Sequence, residues 1–522
     1  MCKQCNYALE HTTYQSDSTM AALRRNYAPE GAVATELLRA IRDIDALFEG
    51  YDPEIARVQG ILLALKQRRQ SLQRDQECFR SVLSPVRRLP PEILQTIFVY
   101  CHGGPELEPI IPTAGLVCHH WRSVVLNTPE LWSTICVGRT RFSFVQKYHD
   151  FASLFLERSA NLPLSVSIRS PADGQLLHLI GRHIGRWQTL RLSSREASFY
   201  ASLALHLHEF EALETLEIVE KIVENIWAEP PVPIALNAPK LREVMLNNCP
   251  AQFWNLPWRQ LTHLRYSISA ATEAIRTLEL CPQLVECSIS MLQVAPDEEL
   301  PPCRPHRQLR TLGLAVDTTR SLIQTAESVL RTFFMGVTAP KLTCLKVIGQ
   351  WSPHDVKDFL SRSECTLEHL VLGTGYMKDD KIIQVLEILP SLQTLELDAD
   401  IGTTRQIQNR VITDKLLRRL VFFPDSDCLL PRLLHLTLRT ALNFEDQVLL
   451  DVLESRWIPW VTELYGVPVS RMTSVDLHFR GRREMLASDS VELLRDLADA
   501  GLRVSLKQGQ EQIPMFSSES NS

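Results

Sequence analysis

A short leucine-rich template recurs through most of the chain, and it restricts the possible folds more than any other feature. The template is Leu-x-x-Leu-x-Leu, with other apolar residues accepted at the three fixed positions. Alternating apolar positions indicate a strand with one buried face, and repetition indicates a stack of similar units. Eleven copies start at Trp187, Leu213, Leu241, Leu261, Leu284, Leu309, Leu342, Leu367, Leu392, Leu433 and Met472.

The intervals between copies fit a unit of one strand and one helix. Successive starts are 26, 28, 20, 23, 25, 33, 25, 25, 41 and 39 residues apart, and leucine-rich repeats span about 20 to 29 residues. The two long intervals are expected to hold insertions. Weaker copies at 162–166 and 502–504 predict degenerate end repeats. Helix-starting signals follow several copies, at Ser352-Pro353, Asp379-Asp380 and Asp489-Ser490.

This array resembles leucine-rich-repeat proteins, and the resemblance implies an α/β solenoid over residues 138–507. Neither the strand nor the helix of one unit can bury its apolar face alone, so the units are expected to stack. The Asn or Cys that the family places after each strand occurs once, at Cys249. We therefore predict an irregular solenoid without an asparagine ladder.

The residues between the fixed apolar positions are predicted to face the concave side of this solenoid. They combine both charges with small and apolar groups, which favours a target-protein surface over a phosphate or nucleic-acid groove. Solvated strand residues without a partner are the alternative for each position. The predicted target-binding residues are Arg191, Glu217, Met245, Arg265, Ser288, Lys346, Val371, Glu396, Thr437 and Asp476.

A different pattern occupies residues 85–137, where three short helices are expected. LPPEIL at 89–94 opens the first helix, because proline fits a first helical turn and Glu92 complements the helix dipole. VCxxWR at 117–122 lies in the second helix, which is predicted to start at Thr113, and TPxLW at 128–132 forms the third. These three linked motifs resemble the F-box family. A proline-rich insert at 106–112 departs from the shorter family pattern.

The F-box resemblance implies binding to a Skp-type adaptor, which links F-box proteins to a cullin ubiquitin ligase. A three-helix unit this small cannot bury all of its large apolar groups, and exposed apolar patches mark interfaces. Core packing is the alternative, especially for Ile97, Val117 and Trp121. The predicted adaptor-binding residues are Leu89, Pro90, Pro91, Ile93, Leu94, Ile97, Phe98, Val117, Cys118 and Trp121.

Residues 34–84 precede this module with an apolar stripe at three- and four-residue spacing. Gly50 interrupts the stripe and Asp52-Pro53 restarts it, which predicts two helices that form either a hairpin or a short coiled coil. This helical pair, followed by Ser84-Pro85-x-Arg87-Arg88, looks similar to F-box proteins of mushroom-forming fungi. Residues 1–33 and 508–522 are polar and are predicted to be disordered.

Composition restricts the partners. The 522 residues include 55 basic and 61 acidic side chains, so no basic excess indicates a nucleic-acid partner. No signal-peptide core and no apolar run of membrane-spanning length occur, which predicts an intracellular protein of the cytoplasm or nucleus, with no membrane partner. The pair Cys2 and Cys5 lacks a second ligand pair, so no metal or other cofactor is expected. Motifs of common catalytic sites are absent.

Together these patterns predict a non-enzymatic substrate receptor of a Skp–cullin–F-box ubiquitin ligase. The F-box would bind the adaptor and the repeats would bind a target protein. A non-ligase scaffold that uses its repeats for binding is the alternative. An enzyme with an unrecognised site would require a pocket lined by acids or histidines with shifted pKa values.

Overall fold

A computed structural model describes the chain in segments. The chain divides into two units, Met1–Leu94 and Gln95–Ser522. The described residues are 23–24, 28–102, 110–137, 145–169, 174–194, 209–219, 234–247, 249, 251–293, 303–316, 323–373, 377–398, 412–423, 429–440, 444–457, 469–479, 486–508 and 511–513.

The first unit is dominated by one long helix, α1, from Ala32 to Leu83. The predicted division into two helices is wrong, because the helix continues through Gly50 and Pro53. Proline keeps a helical φ and removes only one hydrogen bond, and water can satisfy the freed carbonyl of an exposed helix. A 3-10 turn, Pro85–Arg88, follows it. Within residues 1–33, helix α1 already begins at Ala32, while residues 1–22 and 25–27 lie outside the described residues.

Three short α-helices and a 3-10 turn follow: α2 (Pro91–Cys101), α3 (Ile110–Gly115), α4 (His119–Leu126) and Pro129–Trp132. The predicted second helix is therefore two helices. Leu116 and Val117 form a turn between them, and the Cys118 sulfur caps α4 by accepting a hydrogen bond from the Trp121 amide at 3.5 Å. The third predicted helix is the 3-10 turn.

A 15-stranded sheet forms the centre of the second unit, and its strands are hydrogen-bonded neighbours in chain order, while short strands between some of them form two separate two-stranded sheets. All neighbours are parallel except the last pair. Its strands are β1 (Thr134–Val137), β2 (Leu164–Arg169), β3 (Trp187–Ser193), β4 (Thr215–Val219), β5 (Glu243–Asn247), β6 (His263–Ala270), β7 (Glu286–Gln293), β8 (Thr311–Val316), β9 (Cys344–Ile348), β10 (His369–Gly373), β11 (Thr394–Asp398), β12 (His435–Thr440), β13 (Ser474–Phe479), β14 (Arg503–Gln508) and β15 (Glu511–Ile513).

Helices between the strands cover one face of this sheet. The inward residues of strands and helices share one hydrophobic cluster, in which every predicted template start is buried, from Trp187 to Met472. The template therefore predicted the strands correctly. The helices are α5 (Val145–Arg158), α6 (Gly174–Gly181), α7 (Ala271–Leu280), α8 (Ile323–Gly336), α9 (Pro353–Ser363), α10 (Asp379–Leu386), α11 (Asp414–Leu420), α12 (Asp446–Trp457) and α13 (Ser488–Asp499).

Both ends of the sheet extend beyond the predicted array. Strand β1 lies inside the span assigned to the short-helix module and pairs with β2. Strand β15 lies in the tail predicted to be disordered and pairs antiparallel with β14. Both strands are short, so their alternation was too brief to separate from a loop. Helices α11 and α12 occupy the two long intervals. Among the described residues, no helix has the combination of length and apolarity that crossing a membrane requires.

Candidate functional site

Two surfaces contain the predicted site residues, and the first is on and around helix α2. Ile93 is 48% exposed and Ile97 is 38% exposed. Pro90 and Pro91 are exposed, and Leu89 is half-buried. These five side chains are accessible to a partner, as an adaptor contact requires.

Two predicted adaptor contacts are not accessible. Leu94 is 1% exposed and Phe98 is 2% exposed. The Phe98 ring packs edge-on against Trp121 with centroids 5.0 Å apart. This ring contact holds Phe98 within the module, where it stabilises the helices instead of contacting a partner. Phe98 is therefore corrected to a core residue, and Leu94 offers no surface to an adaptor.

The turn between α3 and α4 and the start of α4 carry the other predicted contacts. Val117 is exposed, while Cys118 and Trp121 are half-buried. Sequence reasoning missed Leu116 in this turn and Tyr100 on α2, which are 78% and 87% exposed. Leu116 directly precedes the predicted contact Val117 and Tyr100 lies two residues after Phe98, but only the structure shows that a turn, not a helix, presents Leu116.

Trp132 joins the short-helix module to the sheet. It closes the third motif and is buried. Its indole nitrogen donates a hydrogen bond to the Val125 carbonyl at 2.9 Å. Val125 lies in the last turn of α4, where carbonyl groups lack a partner within the helix. Its ring packs edge-on against Phe155 of α5 at 5.0 Å. Strand β1 begins two residues later, so no linker separates the module from the sheet.

The second surface is the sheet face opposite the helices. The strand registers place all of the predicted target-binding residues in one continuous line across β3 to β13. At strand spacings of about 4.8 Å, this line is about 48 Å long. We name it the central row. It consists of Arg191, Glu217, Met245, Arg265, Ser288, Gly313, Lys346, Val371, Glu396, Thr437 and Asp476.

The middle of the central row is small and uncharged. Gly313 lies between Ser288 and Lys346 in the register. It was not among the predicted target-binding residues, because glycine has no side chain with which to contact a partner. A Cβ atom at Gly313 would lie 3.2 Å from the Ser288 hydroxyl oxygen. Because Ser288 has a small side chain and Gly313 has none, they project little from this part of the sheet face. The charged residues of the row lie on either side of them.

Charges on the early strands are paired across neighbouring strands. Arg191 lies 3.4 Å from the Glu217 carboxylate, and both side chains are mostly buried. Arg265, two strands further on, is exposed. This end of the row therefore offers one accessible guanidinium beside a fixed ion pair.

The late strands hold a larger charged cluster that sequence reasoning missed. Arg439 lies two residues after Thr437 and reaches Glu396 at 3.1 Å and Asp398 at 3.8 Å. Burial lowers the pKa of the neighbouring His478, and the Lys507 and Arg439 charges lower it further. The period of two along a strand could have identified Arg439, because every second residue faces the same side.

The helix side has a shallow depression of about 560 Å³ between α10 and α11. Its charges are paired: Lys415 contacts Asp380, and Arg419 lies 3.0 Å from Glu387. Within the described part of the chain, no group of three or more His, Cys, Asp or Glu residues could hold a metal ion. Cys2 and Cys5 lie outside that part.

Comparison with protein families agrees with the motif pattern. Residues 86–138 match the F-box-like family model. The chain therefore contains an F-box-like domain, a class of domain whose members typically bind Skp1-type adaptors and recognise substrates for ubiquitin ligases. No curated protein matches the chain. The resemblance to proteins of mushroom-forming fungi remains a prediction.

Proposed function

We propose that this protein is a substrate receptor of a Skp–cullin–F-box ubiquitin ligase. Its F-box-like domain binds the adaptor, and its leucine-rich-repeat-like sheet binds the target protein. The observation that carries the proposal is the direct connection between the two parts: the matched residues 86–138 include β1, the first strand of the sheet. Buried Trp132 strengthens this connection by packing on α5.

A direct connection matters because a receptor of this kind works by geometry. It holds the target near the ligase and raises its effective concentration there, without forming or breaking bonds itself. A flexible linker would spread the target over a larger volume. The length of the central row and its charges at both ends suit a protein surface more than a small molecule, since small-molecule sites are concave and mostly apolar.

Adaptor binding is tested with the full chain, a purified Skp-type adaptor and surface variants. We expect Ile97→Glu and Val117→Glu each to weaken adaptor binding at least about tenfold, because a charge would be desolvated at an apolar contact. Val99→Glu is the control, since Val99 lies on α2 with 39% exposure and points about 160° away from Ile97 in helical geometry. Equal adaptor binding by all three variants would refute the assigned surface.

The ligase role is tested by capturing the full chain from cells. Cullin should be recovered with the adaptor, and a bound target should accumulate when the proteasome is blocked. Adaptor recovered without cullin, with target levels unchanged, would support the non-ligase scaffold instead.

The target surface is tested by charge reversal. Lys346→Glu should reduce capture of a specific target about tenfold or more. Lys341→Glu is the control, because Lys341 is equally charged and exposed but precedes β9 and lies outside the central row. Loss of capture with both variants would indicate non-specific electrostatic attraction and contradict recognition by the row.

A further inference from the structure

Helix α1 exposes most of its large apolar side chains. Leu62 is 50% exposed, Leu65 is 62% exposed and Phe79 is 70% exposed. Isolated helices gain little stability from propensity alone, and an exposed apolar stripe of this length usually faces another helix. The sequence pattern and the charges of α1 identify which helix that is.

One heptad register runs through α1 without interruption. Because the helix continues through Gly50 and Pro53, the two stripes on either side of these residues are in phase. Gly50, Pro53 and Gly60 all fall at outward positions of the register. Alternate steps of four and three residues define fourteen positions on one side of the helix, which we name the seam. Twelve of the fourteen are apolar. The seam consists of Leu37, Ile41, Ile44, Phe48, Tyr51, Ile55, Val58, Leu62, Leu65, Arg69, Leu72, Gln76, Phe79 and Leu83.

The charges of α1 are separated along its length. Residues 32–57 contain six acidic and three basic side chains, whereas residues 58–83 contain two acidic and five basic ones. The halves therefore carry net charges of −3 and +3. A helix of this kind attracts a second copy in the opposite direction, since each acidic half then lies beside a basic half.

We propose that α1 binds α1 of a second copy of this chain as an antiparallel coiled coil. The seam contains two sets of residues, each spaced by seven: one set starts at Leu37 and the other at Ile41. When the two helices are aligned over their full length, each residue of one set lies opposite a residue of the other set in the second copy. Ile41 then lies opposite Phe79, and Arg69 lies opposite Tyr51, where a guanidinium and an aromatic ring attract each other. A parallel dimer would instead place Arg69 against Arg69 in the seam.

The flanking positions favour the same direction. In the antiparallel register, Glu54 of one copy lies beside Arg68 of the other, twice per dimer. In a parallel register, Glu54 would lie beside Gln59, without an ion pair. The antiparallel arrangement separates the two Leu83 residues by about 70 Å, because the seam spans about 47 residues at 1.5 Å each.

The mass of the full chain in solution tests association. Light scattering during gel filtration should give twice the 59.4 kDa chain mass. Leu62→Glu should weaken dimerisation about tenfold or more, because Leu62 is in the seam. Leu63→Glu is the matched control, with similar exposure but an outward heptad position, and it should remain dimeric. Circular dichroism of both variants verifies that the helix is retained.

The direction of the dimer has its own test. Glu54→Arg should weaken association, and adding Arg68→Glu should restore it, since the exchanged charges again attract. Cysteines placed together at positions 41 and 79 should form an intermolecular 41–79 disulfide, identified by mass spectrometry of the cross-linked peptides. A monomer at tens of micromolar, equal effects of the two leucine variants, or a 41–41 cross-link from Ile41→Cys alone would overturn the proposal.

Discussion

Helix α1 and the sheet region differ in how much of their apolar residues is exposed to solvent. Along α1 the leucines and isoleucines are mostly exposed, whereas the fixed positions of the sheet strands are nearly all fully buried. Both segments contain periodic apolar residues. The difference is that the sheet strands are covered by neighbouring strands and by helices of the same unit, whereas within the described residues the apolar stripe of α1 is largely exposed.

This difference separates two kinds of interaction surface. In the sheet, the apolar residues are buried within the chain, so the surface available to a partner is the opposite, more polar face with the central row. In α1, the apolar residues are exposed, so the apolar stripe itself is the available surface. The two regions should therefore respond differently to the same substitution, to loss of a charge and to pH.

The largest contrast is expected from leucine truncation. Leu395→Ala in β11 should lower the free energy of unfolding by about 2–5 kcal/mol, because it leaves a cavity in the buried cluster. Leu63→Ala in α1 should change it by less than about 0.5 kcal/mol, because Leu63 is exposed and outside the seam. Urea unfolding of both variants measures this contrast, and equal effects would show that burial does not distinguish the two regions.

Arginine removal should give the next largest contrast. Arg456 is buried in α12, and its guanidinium donates to the carbonyls of Leu420 at 2.6 Å, Leu430 at 2.9 Å and Leu429 at 2.5 Å. Arg456→Ala leaves these acceptors without that donor and should cost about 2–3 kcal/mol. Arg57→Ala in α1 removes an exposed pair with Glu54 and should cost less than about 0.5 kcal/mol.

In the same urea measurement, Arg456→Lys should be intermediate, because an ammonium group can reach fewer of the three carbonyls. If Arg456→Ala were as mild as Arg57→Ala, the hydrogen bonds of the Arg456 guanidinium to these carbonyls would contribute little to stability.

Acidification should affect the sheet region and spare α1. Burial lowers the pKa of His306, partly opposed by the Glu279 charge. The unfolded chain then binds a proton more readily, so stability should fall as pH drops below the ordinary value of about 6.5 towards the lowered pKa. Residues 32–83 contain no histidine, so helicity of α1 should not follow this titration.

Urea midpoints measured from about one pH unit above to about one pH unit below 6.5, the ordinary histidine pKa, report the histidine effect. His306→Gln should reduce the loss of stability at low pH only in part. The remaining loss is expected from His102, His183 and His478, whose pKa values are also lowered by burial. An unchanged slope in the variant would contradict the assignment to His306.

Among the sheet variants, the smallest effect on stability is expected in the charged cluster of the sheet face. Arg439→Ala should change the free energy of unfolding by less than about 1 kcal/mol, because its side chain is 44% exposed and its ion pairs are screened by solvent. Target capture should fall more than stability does. A large loss of stability would mean that the cluster supports the sheet rather than offering a binding surface.

The sequence predicted most strands because three fixed apolar residues at a period of two leave little choice of face. From this, the alignment of the central row followed without knowledge of the register. It did not predict β1, whose Ile135 and Val137 are its only inward residues, or the Arg439 cluster, which lies one alternation beyond the template.

The adaptor surface was predictable only in part. Apolar residues three or four apart on a helix can face a partner or a core equally well, so the motif could not separate Ile97 from Phe98. The ring contact between Phe98 and Trp121 decides that question. The same limit applies to Trp132, whose indole hydrogen bond depends on where α4 ends.

By itself, the sequence determined most strands of the sheet, the F-box-like motifs and the charge separation along residues 32–83, because periodicity and charge depend only on residues near one another in the chain. Only the tertiary structure decided which apolar residues are covered, since coverage depends on elements distant in the chain. The continuity of α1 belongs to the second group: the cost of one internal proline is local, and its neighbours along 52 helical residues outweigh it.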